Sequence, residues 1–337
     1  MKEKIEYIKN KTIQFIKEEY KSLLLLLTIF LLFYIELPYK VYTPGGIVDL
    51  KSRVKVENGY PTSGVLGMSY VSLVRGSIPY VLLSKLIPDW DLVPEEDLKY
   101  DNETLKERMA ADKIATQESI DHAIFASYAL AGKEVQIESE NIFVTYIDER
   151  ATTDLKVLDQ VLEIDSQTFK NTKELKSLVE KHQIGDEVDI LVKRNNKEEH
   201  KKAKVFDLDG PKIGIAMTLT YNYEENPKAS IEMKQSESGP SGGLMMALSL
   251  YNSLVEEDIT KGKTIVGTGT IDRDGNVGEI GGVKYKLMGA VKNKADIFLV
   301  PKANYEEAIE IKKQKNYEIK IIEVSTLKEA IEKLKEE

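Results

Sequence analysis

Leu23 to Ile35 run without a charge: Leu-Leu-Leu-Leu-Leu-Thr-Ile-Phe-Leu-Leu-Phe-Tyr-Ile. At about 1.5 Å per residue this run alone falls short of a hydrocarbon core of roughly 30 Å. Extension from Tyr20 to Tyr42 supplies the length, with Tyr20, Tyr34, Tyr39 and Tyr42 as interfacial aromatics and Lys17, Lys21 and Lys40 placed to snorkel. A signal peptide would end on a small-x-small site, and Glu36-Leu-Pro-Tyr-Lys40 stands there instead. A core helix would carry a polar face, which this run lacks. The pattern predicts an uncleaved signal anchor over residues 22–42. Six lysines precede it (2, 4, 9, 11, 17 and 21), which predicts a cytoplasmic segment 1–21 and a soluble part on the extracellular side of the cell membrane. Pro44-Gly45-Gly46 is expected to end the anchor.

Beyond it, Val65 to Val74 reads as a strand, and residues 76–103, with Pro79, Pro88 and Pro94, as an irregular excursion with short helices. Thr104 to Ala131 has helical spacing (Ile120, Ala123, Ile124, Ser127, Tyr128, Ala131), closed by Gly132. A compact β-rich module follows: strands at Ile142–Ile147 and within Val157–Ile164, a short helix Thr172–His182, and a hairpin turning at Asn195-Asn196. From Gly210 onward strand and helix patterns alternate, which is α/β or α+β patterning.

The charge balance is acidic, 47 Lys+Arg against 56 Asp+Glu, which argues against a nucleic-acid binder. The lysines near Asn195–Lys204 fit a solvated hairpin tip. There are no cysteines, so neither disulfides nor cysteine-ligated zinc are available. The three histidines (His122, His182, His200) are far apart, and no metal site is expected.

The chemistry concentrates at Glu237-Ser-Gly-Pro-Ser-Gly-Gly243. Ser241 sits where a Gly/Pro turn gives way to a helix whose buried stripe is Leu244, Ala247, Leu248 and Tyr251. Such a serine is either an N-cap or an exposed nucleophile. Small residues around it let a substrate carbonyl approach, and N–H groups of Gly239, Pro240-flanking backbone and Gly242 are candidate oxyanion donors. A nucleophilic serine needs a base. A lysine serves if burial lowers its pKa from about 10.4 toward 7–8. Lys284 and Lys286 are both candidates, on opposite flanks of the stripe Val283, Leu287, Ala290 and Val291, and periodicity does not choose between them. Gly262-Lys-Thr264 ends like a phosphate-binding loop, but Glu257 stands where that motif requires glycine.

Gly-Pro-Ser241-Gly-Gly, Gly267-Thr268-Gly269 and Gly281-Gly-Val-Lys-Tyr-Lys286 together resemble the proteolytic domain of the Lon proteases. The resemblance implies a Ser241–Lys286 dyad, with Thr268 orienting the lysine and Lys284 at the surface. Ser238 stands where many members carry Asp. Gln117-Glu118-Ser119-Ile120 resembles an early helix of the same domain. The module around Ser139–Phe206 resembles a PDZ domain, with Leu158 where a glycine before Asp159 is expected. Peptide binding is then expected along Asn141, Ile142 and Phe143 beside Leu175, by strand addition. The whole is similar to the membrane-anchored Lon-like PDZ proteases of Gram-positive bacteria. It implies an α+β chain: residues 43–136 and 208–337 as two parts of a Lon-like domain, and 137–207 as an inserted PDZ-like domain. The implied activity is an ATP-independent serine endopeptidase without cofactors, acting on peptides or exposed protein segments and assembling as a hexameric ring. The alternative is an inactive membrane-tethered peptide-binding adaptor.

Overall fold

The computed structural model describes residues 2–99, 103–234 and 236–337. Residues 100–102 of the expected excursion lie outside the described residues. The chain begins with helix α1 (Lys2–Tyr34), strands β1 (Glu36–Asp49), β2 (Val54–Val56) and β3 (Val65–Ser77), helix α2 (Ile78–Ser84), β4 (Asp91–Pro94) and helix α3 (Leu105–Leu130). The middle holds β5 (Glu134–Ile147), β6 (Gln160–Ile164), β7 (Gln167–Thr168), α4 (Thr172–Val179), β8 (Glu187–Arg194), β9 (Lys197–Lys204), the short pair β10 (Phe206–Asp207) and β11 (Pro211–Lys212), and β12 (Ile215–Asn226). The last part holds β13 (Ala229–Ile231), α5 (Gly243–Leu254), β14 (Thr264–Gly267), β15 (Thr270–Ile271), β16 (Val277–Gly278), α6 (Val283–Lys292), β17 (Ile297–Pro301), α7 (Tyr305–Gln314), β18 (Lys320–Val324) and α8 (Leu327–Glu336). These form two compact units, Met1–Thr43 with Leu73–Asp97, and Pro44–Ser72 with Leu98–Glu337.

In the first unit α1 ends at Tyr34, and Tyr39–Tyr42 of β1 pair antiparallel with Asp91–Pro94 of β4. The expected membrane-spanning helix over 22–42 is therefore overturned, because its last third, residues 36–42, is strand. The apolar helical stretch Leu23–Tyr34 reaches only about 18 Å, and the preceding turns carry Lys17, Glu18, Glu19 and Lys21. No described helix is long and apolar enough to cross a membrane.

In the second unit Pro44-Gly45-Gly46 does not break the chain, as β1 continues through it to Asp49. A Cβ on Gly45 would lie 1.9 Å from the Tyr70 carbonyl oxygen, so this glycine marks a close backbone approach. β3, β14, β17 and β18 run parallel side by side. One face of the sheet (Ile265, Leu299, Ile322, Val324) packs into the core containing α3, α5 and α8. The other (Val266, Phe298, Val300) packs with α6 and α7. Cover on both faces suits the uninterrupted apolar run Ile297–Pro301 of β17, every residue of which is buried. The α3 helix starts at a capping box, in which Thr104 Oγ1 accepts from the Glu107 N–H and the Glu107 carboxylate accepts from the Thr104 N–H.

The β-rich module forms a sheet ordered β12-β5-β6-β8-β9, with α4 packed on a core that includes Ile142, Ile190, Val192 and Leu175. Asn195 and Asn196 have φ of 51° and 63°, as a tight hairpin turn needs. Leu158 has φ of 79°, the left-handed conformation for which glycine is the ordinary occupant. β12 is one edge strand and β9 the other. The Leu219 and Tyr221 N–H groups of β12 donate to Glu118 and Asp121, one turn apart on α3, each at 3.0 Å. Both carboxyls are pushed up by burial, Asp121 to about 6.

Candidate active site

Ser241 lies in a single 3₁₀ turn, Pro240–Gly242, that leads into α5. The capping residues are Gly239 for the turn and Gly242 for α5, and neither position uses a side-chain cap. Ser241 is therefore not an N-cap. The glycines have separate physical reasons. Gly239 has φ of 104° with open space where a Cβ would be. A Cβ on Gly242 would meet Met68 Sδ at 2.7 Å, and one on Gly243 would meet Ser119 Oγ at 2.6 Å. Smallness at 242 and 243 thus serves packing rather than access.

The Ser241 carbonyl is a junction. It accepts from the Gly269 N–H at 2.8 Å and from Thr268 Oγ1 at 3.0 Å. Thr268 directly follows β14, at the carboxyl end of the parallel strands, where ligand sites of open α/β sheets form. Its hydroxyl hydrogen is spent on the Ser241 carbonyl, so it offers only lone pairs to Lys286, whose Nζ donates to it at 3.1 Å. Lys286 is 4% exposed and Thr268 fully buried. Burial pushes the Lys286 amine down to about 8. Lys284, on the same helix, is half-buried and sits 5.3 Å from the Tyr285 ring centroid. The structure thus separates two lysines that periodicity left equivalent. A largely dry amine near its neutral state is a proton acceptor at mildly alkaline pH.

Among the expected oxyanion donors, the Gly239 N–H is already engaged. It donates to Thr116 Oγ1 at 2.7 Å and to the Asp112 carbonyl at 3.3 Å. It is removed from the donor set, and proline at 240 carries no N–H. The Glu237 carboxylate pairs with Arg53 at 3.0 Å and accepts from the Lys234 N–H at 2.8 Å, pinning the loop before the turn. A cleft of about 580 Å³ lies beside this loop, bordered by Thr116 and Ile120 of α3 and by Ile231 and Met233.

The expected peptide-binding residues are brought together only in part. Asn141, Ile142 and Phe143 lie in β5, which pairs with β12 on one side and, at Ile142 and Phe143, with β6 on the other. Strand addition at Ile142 and Phe143 is excluded because both edges are occupied there. Leu175 instead lines a groove of about 410 Å³ with Val179, Ile213, Ile215 and Met217, between α4 and the start of edge strand β12. Sequence reasoning missed Ile213–Met217. Its available signal was Gly214 between two isoleucines, with φ of 72° at the mouth of the strand.

Residues 232–336 match the Lon protease (S16) C-terminal proteolytic domain. Residues 130–205 match the PDZ domain family. The Lon protease of Neorickettsia sennetsu is 35% identical over 96 residues, 28% of this chain and 11% of that protein. That of Mesomycoplasma hyopneumoniae is 36% identical over 90 residues, 27% of this chain and 10% of that protein. The chain thus spans about a tenth of the length of the curated relatives it matches. Among solved structures, the PDZ domain of an SdrC-like protein from Listeria innocua is 32% identical, covering 23% of this chain and 92% of that one, with a TM-score of 0.22. The Lon match contains Ser241, Thr268 and Lys286 but begins after α3. The PDZ match stops before Ile213–Met217, although β12 pairs with β5 along its whole length.

Proposed function

We propose that the chain is an ATP-independent serine endopeptidase, with Ser241 as nucleophile and Lys286 as general base, acting on peptides or exposed segments of proteins. The observation that carries this reading is the burial of Lys286 against Thr268, whose hydroxyl is bonded to the Ser241 main chain. The Ser241 oxygen bonds to the scissile carbonyl carbon, its proton passes to the Lys286 amine, and the carbonyl electron pair moves onto oxygen. N–H groups at the start of the turn, from Ser241 and Gly242, hold that oxyanion. On collapse the C–N bond breaks, and the leaving amine takes the proton from Lys286. Water then attacks the ester with the same base and restores Ser241. Thr268 keeps the amine oriented, since its lone pairs are the side it turns to Lys286. The cleft between α3 and residues 231–234 receives the extended substrate, and the groove beside α4 takes a second peptide segment. In this reading residues 44–72 and 105–130 complete the catalytic domain.

The test is incubation of the purified full chain with a peptide mixture, with and without ATP, read by mass spectrometry. Cleavage independent of ATP is expected, and its loss in folded Ser241→Ala and Lys286→Ala. Activity retained by Lys286→Ala sinks the assignment of the base. Saturable peptide binding without cleavage favours the adaptor, which the groove beside α4 alone would support.

A further inference from the structure

The helix α3 meets the nucleophile turn through two hydroxyls. Thr116 Oγ1 accepts from the Gly239 N–H at 2.7 Å, and Ser119 Oγ donates to the Pro240 carbonyl at 3.0 Å. Residues three apart on a helix lie on one face, so the pair grips the two ends of a short backbone segment, the N–H before Pro240 and the carbonyl after it. We propose that Thr116 and Ser119 are positioning residues that fix the orientation of the Ser241 side chain through this backbone bracket. The proposal rests on the peptidase reading above.

Three observations support it. A serine inside a helix ordinarily turns its hydroxyl to its own chain four residues back. Ser119 instead bonds a carbonyl 121 residues away in sequence and is 2% exposed. Thr116 does bond its own helix, donating to the Asp112 carbonyl at 2.7 Å. That fixes its hydrogen and leaves its lone pairs for Gly239, so the direction of both bonds is determined. Finally, Gly243 leaves room for the contact, since a Cβ there would sit 2.6 Å from Ser119 Oγ. Gly239, with φ of 104° and nothing within 4 Å of a Cβ position, has no side-chain packing to hold it. Its conformation depends on its hydrogen bonds, of which the bracket supplies the shorter, at 2.7 Å from Thr116 against 3.3 Å from the Asp112 carbonyl. A turn left loose moves Ser241 relative to Lys286, and a displacement of about 1 Å at a reacting atom costs on the order of 100-fold in rate.

The test uses the full chain and a rhodamine-tagged fluorophosphonate, which reports on Ser241 without needing the natural substrate, together with fluorescein-labelled casein. Ser119→Ala and Thr116→Val are expected to slow labelling and kcat by roughly 10- to 100-fold, with KM unchanged within about twofold and the pH of half-maximal rate unmoved. Ser119→Thr and Thr116→Ser, which keep the hydroxyls, are expected to recover most of the rate. Amide exchange at Gly239 is expected to quicken in Thr116→Val, a readout independent of activity. Wild-type labelling rates in folded Ser119→Ala and Thr116→Val overturn the bracket, as does a rise in KM alone. A wild-type chain that fails to label, or labels equally as Ser241→Ala, overturns the peptidase reading and the bracket's role with it.

Discussion

Replacing Lys286 by methionine separates its chemistry from its packing. Methionine has similar length and no charge, so the buried space remains filled. The hydrogen of Thr268 stays on the Ser241 carbonyl, and only a lone pair loses its partner. What disappears is the cost of an ammonium in a dry site. Its folded pKa of about 8 lies below the ordinary 10.5, and a gap of roughly 2.5 units corresponds to about 3 kcal/mol. The sign follows from proton binding: the unfolded chain holds this proton more tightly than the folded one. The penalty is therefore complete below about pH 8 and absent above about pH 10.5. Lys286→Met is expected to be inactive yet more stable than wild type at pH 7, by up to about 3 kcal/mol. With m of about 1–3 kcal/mol/M, the urea midpoint of the transition that unfolds the Lys286 core should rise by on the order of 1 M. The gain should shrink between pH 8 and pH 10.5. Destabilisation of the variant at pH 7 would refute the reasoning, since it would mean that Lys286 is a paired cation whose removal strands a partner.

Other consequences follow from the same structure. If Lys286 works as a neutral base, log(kcat/KM) for peptide cleavage should climb with unit slope to a plateau near pH 8; a profile flat from pH 6 to 9 excludes it. Asp121, 1% exposed and pushed up to about 6 by burial, gives stability that is present below about pH 3.8 and lost as pH rises through 6. Asp121→Asn should therefore gain on wild type by up to about 3 kcal/mol between pH 4 and pH 7.5, and urea midpoints that move in parallel refute this. Gly267→Ala should destabilise by about 1–3 kcal/mol, because its Cβ would meet Met245 Sδ at 2.7 Å and Leu299 Cβ at 2.8 Å; an unchanged melting temperature contradicts it. Leu158→Gly should stabilise the PDZ-like module by roughly 0.5–1 kcal/mol, the relief of a left-handed φ exceeding the entropy glycine adds to the unfolded chain. A lowered urea midpoint argues against that strain.

The sequence was most readable where one physical demand selected the residues. The helix expected over Thr104–Ala131 forms as Leu105–Leu130 because cap, period and terminal glycine agree. The Asn195-Asn196 turn and α6 were legible for the same reason. Legibility failed where partners distant in sequence decide the outcome. Charge-free length at Leu23–Ile35 said nothing of Asp91–Pro94, whose pairing draws Tyr39–Tyr42 into a strand. Pro44-Gly45-Gly46 read as a break because local rules do not include Tyr70 lying across it. The peptide site was placed on β5 because the module was taken to open there, whereas β12, arriving some 70 residues later, covers that edge and supplies its own.

The candidate site divides along the same line. Ser241 and Lys286 were legible as types, a serine on a glycine turn and a lysine on a helix. Periodicity left Lys284 and Lys286 equivalent and only the resemblance of the Gly281–Lys286 run singled out Lys286, while the engagement of Gly239 was not legible at all, since burial and hydrogen bonding at both places depend on what packs above them. That missing information is concentrated in α3. Its Thr116 and Ser119 face the Ser241 turn, and its Glu118 and Asp121 hold the edge of β12, the strand whose first residues line the groove beside α4. A residue alternation on one helix thus joins the groove beside α4 to the Ser241 turn through two hydrogen-bonded steps. The carboxylate side of that joint is the desolvated one, and burial pushes both acids up. Burying two carboxyls to satisfy two strand amides is a poor bargain for stability alone. It does fix the register of β12 on α3, because a slip of one residue would present the alternate, inward-paired N–H groups to both acids.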